Sequence, residues 1–343
     1  MSPDPLALDT DRLAAWMADH VPGFRGPLAA TKFKGGQSNP TYRLDAPSGT
    51  LVLRRKPPGR LLASAHAVDR EFRVLRALHG HGVPVAQPVA LCTDDTVIGS
   101  MFYLMGFVEG RVFWDPSLPD IARESRAAYY DEIVRVLAAI HAVDPAAAGL
   151  ADYGKPGNYF ARQIARWTEQ YRAAETARIE AMEQLIAWLP AHCPPDDGSV
   201  SLVHGDFRID NLIFHPTEPR IVAVVDWELS TLGHPLADLA YFCMALRLPR
   251  NPVIPGLAGL DRDALAIPSE QALLARYAAA SGRPAVPDWS FCLAFNFFRL
   301  AAIAQGVLKR AEQGNASSEQ AQSVGRMARL VAEAGAEMTT GTP

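Results

Sequence analysis

The sequence predicts an α+β chain of two lobes, a small antiparallel β-sheet lobe with one helix and a larger, mainly helical lobe. Three observations carry this. From about residue 28 to 109, short β-branched and aromatic runs alternate with turn residues and are interrupted by one helical period. From about residue 120 onward apolar residues recur at helical spacing. One β-type island, SLVHGDFRIDNLIFH followed by RIVAVVDWE, interrupts that helical region. The 343 residues suit two units of ~100–200 residues, which the pattern places at 1–109 and 110–343.

In order along the chain, TKFKGG and NPTYRLD read as strands flanking Gly35, Gly36, Gln37 and Ser38, and TLVLRR follows the turn at Ala46 to Gly49. Ala63 to Leu78 is expected to be a helix, with Val68, Phe72, Leu75 and Leu78 on one side and Asp69, Arg70, Arg73 and Arg76 on the other. VAQPVALC and VIGSMFYLMGFVEG supply two more strands. Helices are expected at Ile121 to His141, Tyr159 to Leu189, Pro235 to Leu246, Gln271 to Ala280 and Trp289 to Arg310, with an Ala-rich, partly mobile tail after Glu312.

Composition narrows the function. Lys and Arg total 33 against 37 Asp and Glu, a formal charge of -4, so there is no general positive field to hold nucleic acid. The four cysteines are scattered without a CxxC pair and read as buried free thiols. Asp4, Asp9 and Asp11 stand where an export signal needs basic residues. The apolar run Phe291 to Leu308 is broken by Arg299 and Gln305, short of the ~20 residues of a membrane span. A cytoplasmic protein without a membrane partner is the expectation.

The β island carries the chemistry. His204, Gly205, Asp206 and Asn211 form an HGDxxxxN loop after a short strand, and the apolar run Ile221 to Val225 delivers Asp226. Asn211 and Asp226 offer hard oxygen donors of the kind Mg2+ takes when it also keeps water and phosphate oxygens. Asp206 is then left to orient a substrate hydroxyl. An Asx-rich turn would need none of this order.

An Asp followed five positions later by a metal-binding Asn, and by a second Asp on a later strand, is the spacing of the protein-kinase catalytic loop. With HGD in that loop, DWE at Asp226 to Glu228 and PLADLAY at Pro235 to Tyr241, the chain resembles the aminoglycoside phosphotransferase and choline kinase branch of the protein kinase-like fold. The likeness covers about residues 28 to 335. It looks closest to the phosphotransferases that stand alone in bacteria and are fused to acyl-CoA dehydrogenases in animals, through GGQSNPTY, VLRRKPPG, GFVEGRVF, GNASS and the β island.

That resemblance implies ATP as co-substrate, Mg2+ at Asn211 and Asp226, Asp206 as the catalytic carboxylate and Arg208 as a phosphate-contacting cation. The amino-terminal lobe has matching candidates. Gly35, Gly36, Gln37, Ser38 and Asn39 can bring backbone N–H groups to phosphate, although a plain hairpin turn has the same composition. Arg54 on the third strand is the expected phosphate cation, with Arg55 and Lys56 one and two residues out of register. Glu71, three after Val68 and four before Leu75, falls on or beside the apolar stripe of its helix. A carboxylate there wants a cation, so an ion pair with Arg54 is expected; an exposed pair with Arg70 or Arg76 is the alternative. In this fold the adenine hydrogen-bonds the backbone between the lobes, which implies Met105, Gly106 and Phe107, with Val52 against the ring.

Two positions depart from the family pattern. GHP at His234 replaces the usual GDP, and Gly106 replaces a common hinge Glu. The implied reaction is transfer of the ATP γ-phosphoryl group to a small-molecule hydroxyl. No acidic cluster suited to a polycationic aminoglycoside is visible. The helix from Lys155 to Arg178, with Arg162, Arg166, Arg172, Tyr159, Phe160, Trp167 and Tyr171, suits an anionic or apolar acceptor, or is simply amphipathic. The fused acyl-CoA dehydrogenases favour a hydroxyacyl compound. The competing readings are a metal-dependent hydrolase using His204, Asp206, Asp226 and His234, and a catalytically silent kinase-like binding protein.

Overall fold

Tyr42, Leu44, Leu51 and Leu53 lie at alternate positions of two neighbouring strands, so pairing those strands must bury one face of a sheet. The computed structural model describes residues 8–33, 39–57, 67–251, 255–283, 288–312 and 319–340. The elements run α1 (Thr10–His20), β1 (Ala29–Lys32), β2 (Thr41–Ala46), β3 (Gly49–Arg55), α2 (Val68–Leu78), β4 (Pro88–Cys92), β5 (Phe102–Gly106), α3 (Arg126–His141), α4 (Tyr159–Ala174) and α5 (Glu180–Ala191). They continue with β6 (Ser201–Val203), β7 (Leu212–Phe214), β8 (Ile221–Val224), β9 (Thr231–Gly233), α6 (Leu236–Met244), α7 (Glu270–Ser281), α8 (Trp289–Glu312) and α9 (Glu319–Glu337). Two compact units result. The first holds the described residues up to Arg111 with 147–150 and 211–230; the second holds 112–146, 151–210 and the remainder from Thr231.

In the first unit the five strands are antiparallel neighbours in the order β1-β2-β3-β5-β4. Cross-strand partners share a face, so Tyr42, Leu53 and Leu104 lie together, as do Thr41, Arg54 and Tyr103 on the opposite face. The first face is covered by α1, whose Leu13, Met17 and Val21 are buried among Tyr42, Leu44, Leu53, Phe102 and Leu104. Helix α1 went unread in the sequence, although its signals are local: the Asp9 side chain caps it by accepting the N–H of Arg12 at 3.0 Å, and Leu13 and Met17 are four residues apart. The opposite face receives α2, with Phe72 5.8 Å from the Tyr103 ring and Glu71 1% exposed.

The chain returns to this unit at residues 211–230, so a single boundary near residue 110 does not describe the division. The cause is a hairpin of β7 and β8 that is tied in by backbone. Val224 donates to the Pro84 carbonyl at 2.8 Å, and Arg111 and Phe214 exchange hydrogen bonds at 2.8 Å each. Gly110 permits that approach, because a Cβ there would stand 2.3 Å from the Phe214 carbonyl oxygen.

The second unit is built on α8, which is apolar almost all round because α4, α5, α6 and α9 cover it. By length and composition this helix could cross a bilayer, which corrects the reading that the Arg299 and Gln305 interruptions disqualify it. Both polar side chains are answered inside the protein: Arg299 donates to the Gly205 carbonyl, and Gln305 to Ala174 O at 3.0 Å and Thr176 Oγ1 at 2.9 Å. The Gln305 contact also marks where the expected single helix from Tyr159 to Leu189 breaks into α4 and α5. After Glu312 the chain forms α9 instead of a loose tail, with Met327, Ala328, Val331 and Ala332 buried.

Leu13→Ala tests the cover supplied by α1. It is expected to lower stability by about 2–5 kcal/mol, read as a lower urea midpoint, and an unchanged midpoint would mean that α1 does not belong to the sheet's core.

Candidate active site

In the first unit the site begins with Arg54. Its place on β3 puts it on the face opposite α1, where α2 presents Glu71 from its first turn. Arg54 Nε lies 2.8 Å from Glu71 Oε2, and Nη2 lies 2.5 Å from Asp226 Oδ1 and 3.6 Å from Glu228 Oε2. Neighbouring Arg55 points to the other face, where it donates to the Ile98 carbonyl at 3.2 Å and lies over the Tyr42 ring. The register is therefore settled in favour of Arg54 as the cation of this cluster. Asn39 Nδ2 donates to Glu71 Oε1 at 2.8 Å and to Glu228 Oε2 at 3.4 Å, and the Tyr103 hydroxyl donates to Glu71 Oε2 at 3.1 Å. Burial, with the charges of Asp226 and Glu228, pushes the Glu71 carboxyl up to about 7 despite the adjacent guanidinium. Among the described residues three carboxylates, those of Glu71, Asp226 and Glu228, stand around this one guanidinium.

Asp226 reaches that cluster through a backbone kink. It takes a left-handed conformation, φ 66° and ψ 57°, which Asp tolerates better than β-branched residues do, and a short 3-10 turn at Trp227–Leu229 follows. The buried Trp227 indole pins the kink by donating to the Val224 carbonyl at 3.0 Å, and Ser230 Oγ donates to Trp227 O at 2.5 Å. Leu212 pairs with Val224, and Val225 donates to the Asn211 carbonyl at 3.0 Å, so Asp226 is the residue that follows the backbone partner of Asn211 at the end of the hairpin. Asn211 is buried, whereas the Asp226 side chain is 33% exposed. An amide oxygen and a carboxylate are hard donors too few to enclose an ion, and they fit Mg2+ that takes its other ligands from water and phosphate.

The second unit carries Asp206. His204 and Gly205 donate their backbone N–H groups to Asp238 at 2.5 and 2.8 Å, and His141 Nε2 lies 3.4 Å from the same carboxylate. Asp238 is 1% exposed, and these donors hold its carboxyl below the usual carboxylate range against the effect of burial. His141 is itself tied to the Tyr277 hydroxyl at 2.7 Å. Gly205 has φ 83°, which bends the loop after β6. Asp238 thus anchors the backbone of this loop, and its partner His141, at the end of α3, is marked by no local motif. Arg208 donates to Asp210 at 2.5 Å and lies 3.9 Å from Asp206.

The remaining sequence-predicted residues are distributed as follows. Gly35, Gly36, Gln37 and Ser38 lie outside the described residues, as do Gly314 to Ser318. The Asn39 side chain is turned to the carboxylates. Val52 and Met105 are cross-strand partners on the Arg54 face, and the Phe107 ring is covered by the Arg43 guanidinium at 4.8 Å. The Gly106 N–H is engaged by the Gln87 carbonyl at 2.8 Å, and a Cβ there would meet only ordinary contact at 3.5 Å, so the residue is not sterically required to be glycine.

The cations of α4 are spent locally. Arg162 donates to the Lys155 and Pro156 carbonyls and Arg172 to Glu183, while Tyr159, Phe160, Trp167 and Tyr171 face inward, which is the amphipathic alternative. His234 lines a cavity of about 410 Å³ with Tyr159, Phe160, Asp197 and Leu232. Its Nδ1 accepts the Leu236 N–H at 3.3 Å and its Nε2 lies 3.5 Å from Asp197. His204 Nδ1 likewise accepts the Asp206 N–H at 3.2 Å. Among the described residues no group of three or more His, Cys, Asp or Glu is arranged to hold a metal ion.

Known proteins place this geometry in a family. Residues 29–289 match the phosphotransferase enzyme family. The chain is 49% identical to mouse acyl-CoA dehydrogenase family member 10 over 90% of its length, and 42% identical to human acyl-CoA dehydrogenase family member 11 over 97%. It spans only 29% and 43% of those two relatives. A crystal structure from Ralstonia eutropha, of a candidate aminoglycoside phosphotransferase, is 53% identical with a TM-score of 0.89, covering 97% of this chain and 99% of that one. A thermostable mutant of aminoglycoside phosphotransferase APH(4)-Ia, solved with ADP and hygromycin B, shares the fold at 15% identity and a TM-score of 0.62, covering 96% of this chain and 98% of that one. The expected kinase-like α+β fold is therefore the observed one, and the chain belongs to the phosphotransferase enzyme family.

Proposed function

We propose that the chain transfers the γ-phosphoryl group of ATP to a hydroxyl of a small hydroxyacyl compound, with Mg2+ held by Asn211 and Asp226. The observation that carries this reading is the cluster in which one guanidinium, Arg54, grips both Glu71 and Asp226 while Asn211 stands beside Asp226 at the end of the hairpin. A phosphotransferase needs such an arrangement, because little covalent chemistry is asked of the protein and the rate comes from placing charge. The hydroxyacyl acceptor is supported by the relatives of this chain, which are named acyl-CoA dehydrogenase family members and of which it spans 29% and 43%.

In this mechanism Asp206 accepts a hydrogen bond from the acceptor hydroxyl and finally its proton. The acceptor oxygen forms its bond to the γ-phosphorus as the bond to the ADP oxygen breaks. Proton loss comes late in a loose transition state, so Asp206 acts mainly by orientation. Arg54 keeps Asp226 in place and offers positive charge to the phosphates. Bound Mg2+ would neutralise charge on the phosphate oxygens.

Two outcomes follow. An unhydrolysable ATP analogue with Mg2+ is expected to raise the thermal unfolding midpoint, and chelating the metal or substituting Asp226→Asn is expected to remove most of that rise; equal shifts in all three samples would contradict the metal assignment. In a phosphoryl-transfer screen over hydroxyacyl-CoA, choline, sugar and aminoglycoside acceptors, turnover is expected with the hydroxyacyl compounds. Asp206→Asn is expected to lower kcat by about 10²-fold or more while the analogue still stabilises the chain. Turnover unchanged by that substitution would refute the mechanism.

A further inference from the structure

Gly205 stands immediately before Asp206 with φ 83°, a turn that glycine allows and that glycine also leaves loose. Such a residue is fixed only when the peptide planes on both sides of its Cα are held, because those planes define φ and ψ. The loop meets this condition. The plane before Gly205 is held by Asp238, whose Oδ1 accepts the Gly205 N–H at 2.8 Å. The plane after it is held at its oxygen by Arg299, which donates to the Gly205 carbonyl, and at its nitrogen by His204 Nδ1, which accepts the Asp206 N–H at 3.2 Å.

Arg299 is itself held in place. It is 5% exposed, and its guanidinium lies over rings from two other helices, 5.6 Å from the centroid of Trp167 on α4 and 5.4 Å from that of Tyr241 on α6. Its neighbours along α8, among them Phe295, Phe298 and Ala302, are buried and apolar. An apolar side chain would fill that place without removing a charge from water, so packing alone does not account for an arginine there.

We propose that Arg299 is a positioning residue for phosphoryl transfer: by tying the Gly205 carbonyl it fixes the peptide between Gly205 and Asp206, and with it the direction in which the Asp206 side chain leaves the backbone. This rests on the phosphotransferase reading above. In the step it serves, the acceptor proton goes to Asp206, the acceptor oxygen bonds to the γ-phosphorus and the bond from that phosphorus to the ADP oxygen breaks; Arg299 takes no part in either transfer. Lysine at this position keeps the charge but replaces a planar fork by a single ammonium on a flexible stem, which does not lie flat on the two rings. The peptide is then free to swing about a glycine, and a misplacement of about 1 Å at the reacting groups costs on the order of 10²-fold in rate.

The test is Arg299→Lys, with ADP formation from MgATP followed for the hydroxyacyl-CoA acceptors and for water, at a temperature where circular dichroism shows both chains folded. The expected result is a fall in kcat of about 10-fold or more with the KM for ATP unchanged, and no further fall when the substitution is added to Asp206→Asn. An undiminished kcat, an equal loss in the Asp206→Asn background, or a raised KM for ATP with kcat intact overturns the proposal. Should Arg299→Lys fail to fold, Trp167→Leu removes one ring of the stack and leaves Arg299 present. A kcat lower by about threefold or more is expected there, and an unchanged kcat overturns the proposal. A wild-type chain that forms no ADP with water or with any acceptor of the screen above overturns the phosphotransferase reading and this proposal with it. An active wild type with an unaffected variant overturns this proposal alone.

Discussion

The shared guanidinium of Arg54 is the interaction on which the carboxylate cluster of the first unit depends. Glu71 is almost wholly buried, and a carboxylate removed from water without a partner costs several kcal/mol. Arg54 offsets that cost on one edge and reaches Asp226 with the other, so a helix, a central strand and the end of a hairpin are fixed by one planar side chain. Asn39 and Tyr103 complete the enclosure by donating to Glu71. Of the three carboxylates grouped around Arg54, that of Asp226 is the most open, 33% exposed.

The second unit achieves rigidity by a different route. Asp206 stands on a loop whose backbone N–H groups are collected by Asp238, itself held by His141 and, through it, Tyr277. The two arrangements have no residue in common, yet the chain steps directly from one to the other between Asp210 and Asn211. That continuity explains why the Asp206 to Asn211 spacing is so compact a signature.

Much of this was legible in the residues because the relevant distances are short along the chain. The HGDxxxxN loop, the apolar run into Asp226 and the placing of Glu71 on the buried stripe of α2 each need only local periodicity. The Arg54 register was ambiguous in sequence because Arg54, Arg55 and Lys56 are consecutive cations; it is decided by the ion pairs of Arg54 with Glu71 and Asp226, while Arg55 turns to the opposite face. What escaped depends on distant partners. Asn39 reads as part of a glycine-rich loop, and only the fold brings Glu71 and Glu228 to it. The break between α4 and α5 is stabilised by Gln305, far along the chain, and α9 hides its apolar stripe among alanines. Helix α1 had adequate local signals in Asp9, Leu13 and Met17.

If Arg54 organises the metal-bearing end of the site through its two-armed grip, removing one arm must weaken metal binding although Arg54 is not itself a ligand. Arg54→Lys keeps the charge and loses the fork. The direct measurement is a Mn2+ titration by electron paramagnetic resonance in the presence of an unhydrolysable ATP analogue, comparing the two chains. The account predicts about tenfold or greater loss of Mn2+ affinity in Arg54→Lys, in line with other residues that orient metal ligands. Equal affinities in the two chains would contradict it.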